Sequence, residues 1–105
     1  MDDAAWLGNI LYSVFPTNTV FSVSDIMGRV QVEWTVPDID RRNVPLVIDL
    51  DSIVRQRWED EPIGERIALE GRIRRLVANQ LVDYDPAGST AIPDAVVILV
   101  HDIDL

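Results

Sequence analysis

Apolar residues at Leu7, Ile10, Leu11 and Val14 recur at the i, i+3, i+4, i+7 spacing of one helical face. Asp2 and Asp3 ahead of them suit the positive end of a helix dipole, so the spacing predicts a first helix, which Pro16 ends. The period then changes from about 3.6 to two. Thr19 to Ser24 reads as a short strand and Arg29 to Val36 as a clearer one, with Val30, Val32, Trp34 and Val36 alternating against Gln31, Glu33 and Thr35. Ser24-Asp25 through Gly28 supplies the hairpin loop between them, and Pro37 to Asn43 reads as a polar loop. Val44 to Leu50 follows as a third strand with Leu46, Ile48 and Leu50 on one side.

Asp51 or Ser52 is placed to cap a short helix carrying Val54 and Trp58, which gives out at Glu59-Asp60-Glu61. Pro62 then opens a longer helix to about Val82. The Asp-, Pro- and Gly-rich stretch from Asp83 to Pro93 reads as a loop. Ala95 to Val100 is apolar throughout, the pattern of a strand covered on both faces in the middle of a sheet. The order helix, three strands, helical segment, strand predicts an α+β fold in a single domain over 1–105. The expected form is a small two-layer domain, a mainly antiparallel sheet of about four strands with helices packed on one face. If the third and fourth strands are parallel neighbours, the helices between them form a right-handed crossover.

Length and composition narrow the chemistry. A chain of 105 residues buries roughly two-thirds of its unfolded surface, enough for a core without covalent staples. There is no cysteine, hence no disulfide, thiolate nucleophile or Cys-containing zinc site, and a single histidine, His101, is too few for an ordinary zinc site. The longest apolar run is far below the roughly 18 residues of a membrane helix, so no membrane association is expected. Met1-Asp2-Asp3 lacks the positive region of a secretory signal, which makes the cytoplasm the expected location. All nine basic residues are arginine, a usage that fits a GC-rich bacterial coding sequence and removes any lysine Schiff base or phosphate-loop lysine. Eighteen acidic residues against nine basic ones give a net charge of -9. That balance argues against direct nucleic-acid binding, which relies on neutralising phosphates, and favours a basic protein partner.

Leu46-Val47-Ile48-Asp49-Leu50-Asp51 is an apolar strand ending in Asp-x-Asp before a helix. It resembles the first motif of haloacid-dehalogenase-type phosphotransferases. The resemblance covers about nine residues and implies Asp49 as nucleophile and Asp51 as the proton-transferring partner beside magnesium. That family also uses a larger α/β domain, a downstream basic residue that is usually lysine, and a further acidic pair; this chain is short and has no lysine. The structural alternative makes Asp49 a solvent-facing strand residue and Asp51 a helix cap. A second Asp-x-Asp, Asp102 and Asp104 beside His101, ends the last strand, and parallel pairing would let four carboxylates gather around Mg²⁺ or Ca²⁺. With 13 aspartates such pairs also arise by chance, as Asp38/Asp40 and Asp83/Asp85 do. His101 has no evident partner in sequence, and the five glycines are too scattered for a phosphate loop. No cofactor and no resident metal are therefore expected. Trp6, Trp34 and Trp58 each fall on an apolar stripe and read as core.

The acids group in segments: Asp38 and Asp40, then Glu59, Asp60 and Glu61, then Asp83, Asp85 and Asp94. Such groups either keep a small domain soluble or steer a basic partner, and the candidate partner-binding residues are Asp38, Asp40, Glu59, Asp60 and Glu61. The expected function is a non-enzymatic acidic bacterial interaction protein of immunity, inhibitor or adaptor type. A small Asp-x-Asp metal-dependent hydrolase or phosphotransfer module is the alternative. The long helix places Ile63, Ile67, Leu69, Ile73, Leu76, Val77 and Leu81 in one wide apolar sector that also contains Arg66, Glu70 and Arg74. Either the arginines snorkel from the core edge while pairing with Glu70, or the sector's surplus forms a homodimer through helix 63–82.

Overall fold

Each predicted helix forms where the chain supplies both an apolar face and a start signal. In the computed structural model, which describes residues 1–88 and 95–105, Asp2 caps helix α1 (Asp3–Leu11) by accepting from the Ala5 amide at 2.8 Å. Ala4, Trp6, Leu7, Ile10 and Leu11 of α1 are buried. Strands β1 (Val20–Val23) and β2 (Arg29–Glu33) form an antiparallel hairpin. Its turn ends at Gly28, whose φ of +80° is open to glycine and strained for other residues, and whose missing Cβ would stand 3.3 Å from the Leu50 carbonyl oxygen. Strands β3 (Thr35–Val36) and β4 (Arg41–Arg42) pair with each other as a second, two-stranded sheet. Strand β5 (Leu46–Leu50) leads through the Asp51 cap into α2 (Ser52–Asp60), and α3 (Ile63–Gln80) follows. Strand β6 (Val96–Val100) and a short 3-10 turn, Asp102–Asp104, complete the described chain.

The main sheet has the order β1-β2-β5-β6, antiparallel except for the parallel pair β5 and β6. Residues in register share a face, so Val30, Val32, Leu46, Ile48, Leu50, Ile98 and Val100 form one apolar side. They pack with Leu7, Leu11, Val54, Leu69, Ile73 and Val77 of the helices in a single buried cluster. The α+β architecture with a mainly antiparallel four-stranded sheet is thus as the periodicity predicts. Trp6 and Trp34 are buried, and Trp58 is half-buried against the core.

Three expectations need correcting. The strand expected over Arg29 to Val36 breaks at Trp34, and the loop expected over Pro37 to Asn43 contains β4. The break is stabilised by buried Asn43: its Oδ1 accepts from the Trp34 amide at 2.9 Å, and its own amide donates to the Trp34 carbonyl at 3.0 Å. Its Nδ2 reaches the carbonyls of Val32 and Val44 and the Tyr84 hydroxyl, so the backbone groups that leave the ladder find partners in one side chain. Second, β6 lies at the edge of the sheet, not in its middle, and Val96, Val97 and Leu99 are exposed. Third, Ile63 and Ile67 lie outside the core at 77% and 63% exposure. Leu69, Ile73 and Val77 form the buried row of α3, and at 100° per residue Ile63 and Ile67 lie about 80° and about 120° around the helix from its centre. The loop expected from Asp83 to Pro93 is described only to Gly88; residues 89–94, Asp94 among them, lie outside the described residues.

Candidate functional site

The carboxyl ends of β5 and β6 carry the groups with the most obvious chemistry. Asp49 sits on the uncovered face opposite Arg29 in register, with its Oδ1 3.6 Å from Arg29 Nε and its Oδ2 3.0 Å from His101 Nε2. The sequence shows no partner for His101 because that partner lies 52 residues away on the neighbouring strand. Asp51 points elsewhere, accepting from the Ile53 amide at 3.1 Å as the cap of α2. Asp102 accepts from Arg57 Nη1 at 3.0 Å, and Asp104 lies in a shallow groove with Arg72, Arg75 and Leu76. Parallel pairing of β5 and β6 is therefore present, yet the expected gathering of four carboxylates is not: three are held by separate partners and the fourth lines a different groove. Among the described residues no group of three or more His, Asp or Glu side chains converges in the manner of a metal site. No helix of the described chain is long and apolar enough to cross a membrane.

The two acidic groups named as candidate partner-binding residues leave the sheet from opposite ends. Asp38 and Asp40 lie in the β3–β4 turn beyond the carboxyl end of β2, with Asp40 at φ +48°. Arg41 and Arg42 follow at once, and Arg42 pairs with Glu33, so that turn is charge-balanced. Glu59, Asp60 and Glu61 instead form the corner between α2 and α3, beyond the carboxyl end of the antiparallel neighbour β5. Ile63 and Ile67 follow this corner on α3 and are exposed, with Glu65 about 160° around the helix from both.

The local cations face inward. Arg66 lies over the Trp58 ring at 4.6 Å and donates to the carbonyls of Trp58 and Glu59 at 2.9 and 2.7 Å, satisfying the last turn of α2. Arg55 reaches Asp3 at 2.8 Å, and that hydrogen bond raises its pKa above the ordinary arginine value. Its second carboxylate, Glu59, is 3.5 Å away, while Asp60 accepts from Gln56. The expected pairing of Arg66 and Arg74 with Glu70 does not form. Glu70 accepts from the Trp58 indole at 3.1 Å, and Arg74 reaches the Ile10 carbonyl at 3.4 Å. Each of the three ties α3 to another element.

No protein-family model, curated protein or solved structure matches this chain. The site must therefore be read from its own geometry. Sequence reasoning named Glu59, Asp60 and Glu61, and it placed Ile63 and Ile67 in one wide apolar sector, either core or surplus for a second copy, without linking them to the acidic corner. The available signal was angular: the apolar sector spans about 180° of the helix, wider than the one row Leu69, Ile73 and Val77 that is buried.

Proposed function

We propose that this chain is a non-enzymatic interaction protein of immunity, inhibitor or adaptor type, acting in a bacterial cytoplasm on a protein partner with a basic surface. One observation carries the reading: Glu59, Asp60 and Glu61 form the α2–α3 corner just before exposed Ile63 and Ile67 on α3, while Arg55 and Arg66 are held by Asp3 and by the carbonyls of Trp58 and Glu59. Exposed apolar side chains next to a charged group match the composition of a protein-binding patch. The chain's charge of -9 would draw a basic partner toward it over about a Debye length. The metal-dependent alternative needs Asp49, Asp51, Asp102 and Asp104 around one point, and their separate commitments give it less support.

The test is affinity capture from the source organism at low salt with three baits: wild type, a Glu59→Lys/Asp60→Lys/Glu61→Lys variant, and an Asp38→Lys/Asp40→Lys variant. The proposal expects a basic protein that binds wild type and the second variant, is lost from the first, and is released by salt. Equal retention by all three baits would overturn it. So would Mg²⁺-dependent phosphate release by the purified chain that Asp49→Asn abolishes.

A further inference from the structure

Strand β6 has the composition of a central strand and the position of an edge strand. Its five residues, Val96-Val-Ile-Leu-Val100, are all apolar, although edge strands ordinarily carry charges or proline that discourage further pairing. On the uncovered sheet face Val97 and Leu99 remain 38% and 42% exposed, with Val97 in register beside Val47. The Val96 amide donates to Pro45 and the Val100 carbonyl accepts from Asp51, so alternate residues bond toward β5. Val97 and Leu99 accordingly turn their amide and carbonyl groups to the free side. Leu99 is met there by the Gln80 side chain; Val97 has no partner among the described residues.

The charge along this edge is polar in an informative way. Gln80, Leu76 and Arg72 form one row of α3 at i, i+4, i+8 spacing beside the free side of β6. At the amino end of β6, Asp83 and Asp85 line a groove with Gln80, Tyr84 and Val96. At its carboxyl end, Arg72 and Arg75 line the groove that holds Leu76 and Asp104, and among the described residues neither arginine forms an ion pair. One end carries two carboxylates, and the other carries two arginines against the single carboxylate of Asp104.

We infer that β6 pairs antiparallel with β6 of a second copy of this chain about a two-fold axis at Val97, joining two four-stranded sheets into one of eight strands. The two-fold reversal sets the Asp83 and Asp85 end of each copy against the Arg72 and Arg75 end of the other. A strand that is apolar throughout is self-complementary, and this charge arrangement selects a second copy over a uniformly basic peptide. At the axis the two Val97 residues exchange both backbone hydrogen bonds, satisfying groups that have no partner among the described residues of the single chain. Val97 and Leu99 of both copies then form a continuous apolar strip, and β6 occupies the middle position that its sequence describes.

Sedimentation velocity tests this, using wild type, Arg75→Asp, Asp83→Arg, an equimolar mixture of those two variants, and Val97→Pro. Residue 97 donates no hydrogen bond to β5, so proline there blocks the new pairing and leaves the existing ladder intact; circular dichroism checks the fold of every variant. The inference expects a wild-type dimer at micromolar concentration and a folded, monomeric Val97→Pro chain. Each charge variant alone should dissociate about tenfold more readily, and their mixture should restore a heterodimer because both contacts become opposite in sign again. A wild-type chain that stays monomeric at hundreds of micromolar overturns the inference. A dimer that survives Val97→Pro, or folded variants whose mixture does not reassociate, does so equally.

Discussion

The side-chain amide of Gln80 holds both backbone polar groups of Leu99, its Nε2 donating to the Leu99 carbonyl at 2.7 Å and its Oε1 accepting from the Leu99 amide at 2.9 Å. In this way α3 supplies a single rung of the missing strand next to β6. A second β6 centred on Val97 would set the partner's Ala95 opposite Leu99 and displace that amide. Gln80→Ala therefore frees the edge, and its dimer is expected to be several-fold tighter than that of wild type by sedimentation equilibrium. Weaker association in this variant would mean that Gln80 helps the pairing instead of competing with it.

Asn43 is expected to be the most costly polar residue to remove. It is buried, and its side chain serves the Trp34 amide, two carbonyls and the Tyr84 hydroxyl. Asn43→Ala leaves those groups with fewer partners in a closed site, at a cost of about 2–3 kcal/mol. Urea unfolding of the variant beside wild type measures this directly, with a lower midpoint and an unchanged slope as the expected result.

Burial pushes the Tyr84 phenol above the ordinary tyrosine value of about 10. The hydrogen bond from Asn43 opposes that rise, and the charge of Asp85 adds to it. A pKa raised in the folded state means that the unfolded chain loses this proton first. The Tyr84 contribution is thus fully present below pH of about 10 and is lost as the pH climbs through the folded value. Stability measured across that alkaline range should fall less steeply in Tyr84→Phe than in wild type.

Much of this fold is legible in the sequence because its cause is local. Leu46, Ile48 and Leu50 alternate, and they lie on the buried side of β5. Asp51 stands before an apolar helical period, and it caps α2. What sequence does not show is set by distant partners. Nothing near Asn43 indicates that its amide ends the strand at Trp34, nine residues earlier, and a helical wheel cannot show that Arg66 serves the carbonyls of α2 instead of Glu70. The position of β6 is hidden for another reason: an apolar run reports that a strand is suited to cover on both sides, and among the described residues β6 has only β5 as a neighbour.

Arg66 holds the acidic corner in shape. Its guanidinium lies over Trp58 and closes the last turn of α2, so Arg66→Ala should cost about 1–2 kcal/mol and red-shift the Trp58 emission as the ring gains water. Partner binding should weaken in the same variant even at temperatures where it is fully folded. Unchanged affinity would separate the corner's shape from its binding role.

The central claim is that the corner between α2 and α3 is where a basic protein docks. Backbone amide shifts followed by NMR during titration with the captured partner test it most directly. The account predicts perturbations concentrated from Glu59 to Ile67, diminishing as salt is raised. Perturbations centred on Asp49 and His101, or on the turn at Asp38 and Asp40, with the corner unmoved, would contradict it.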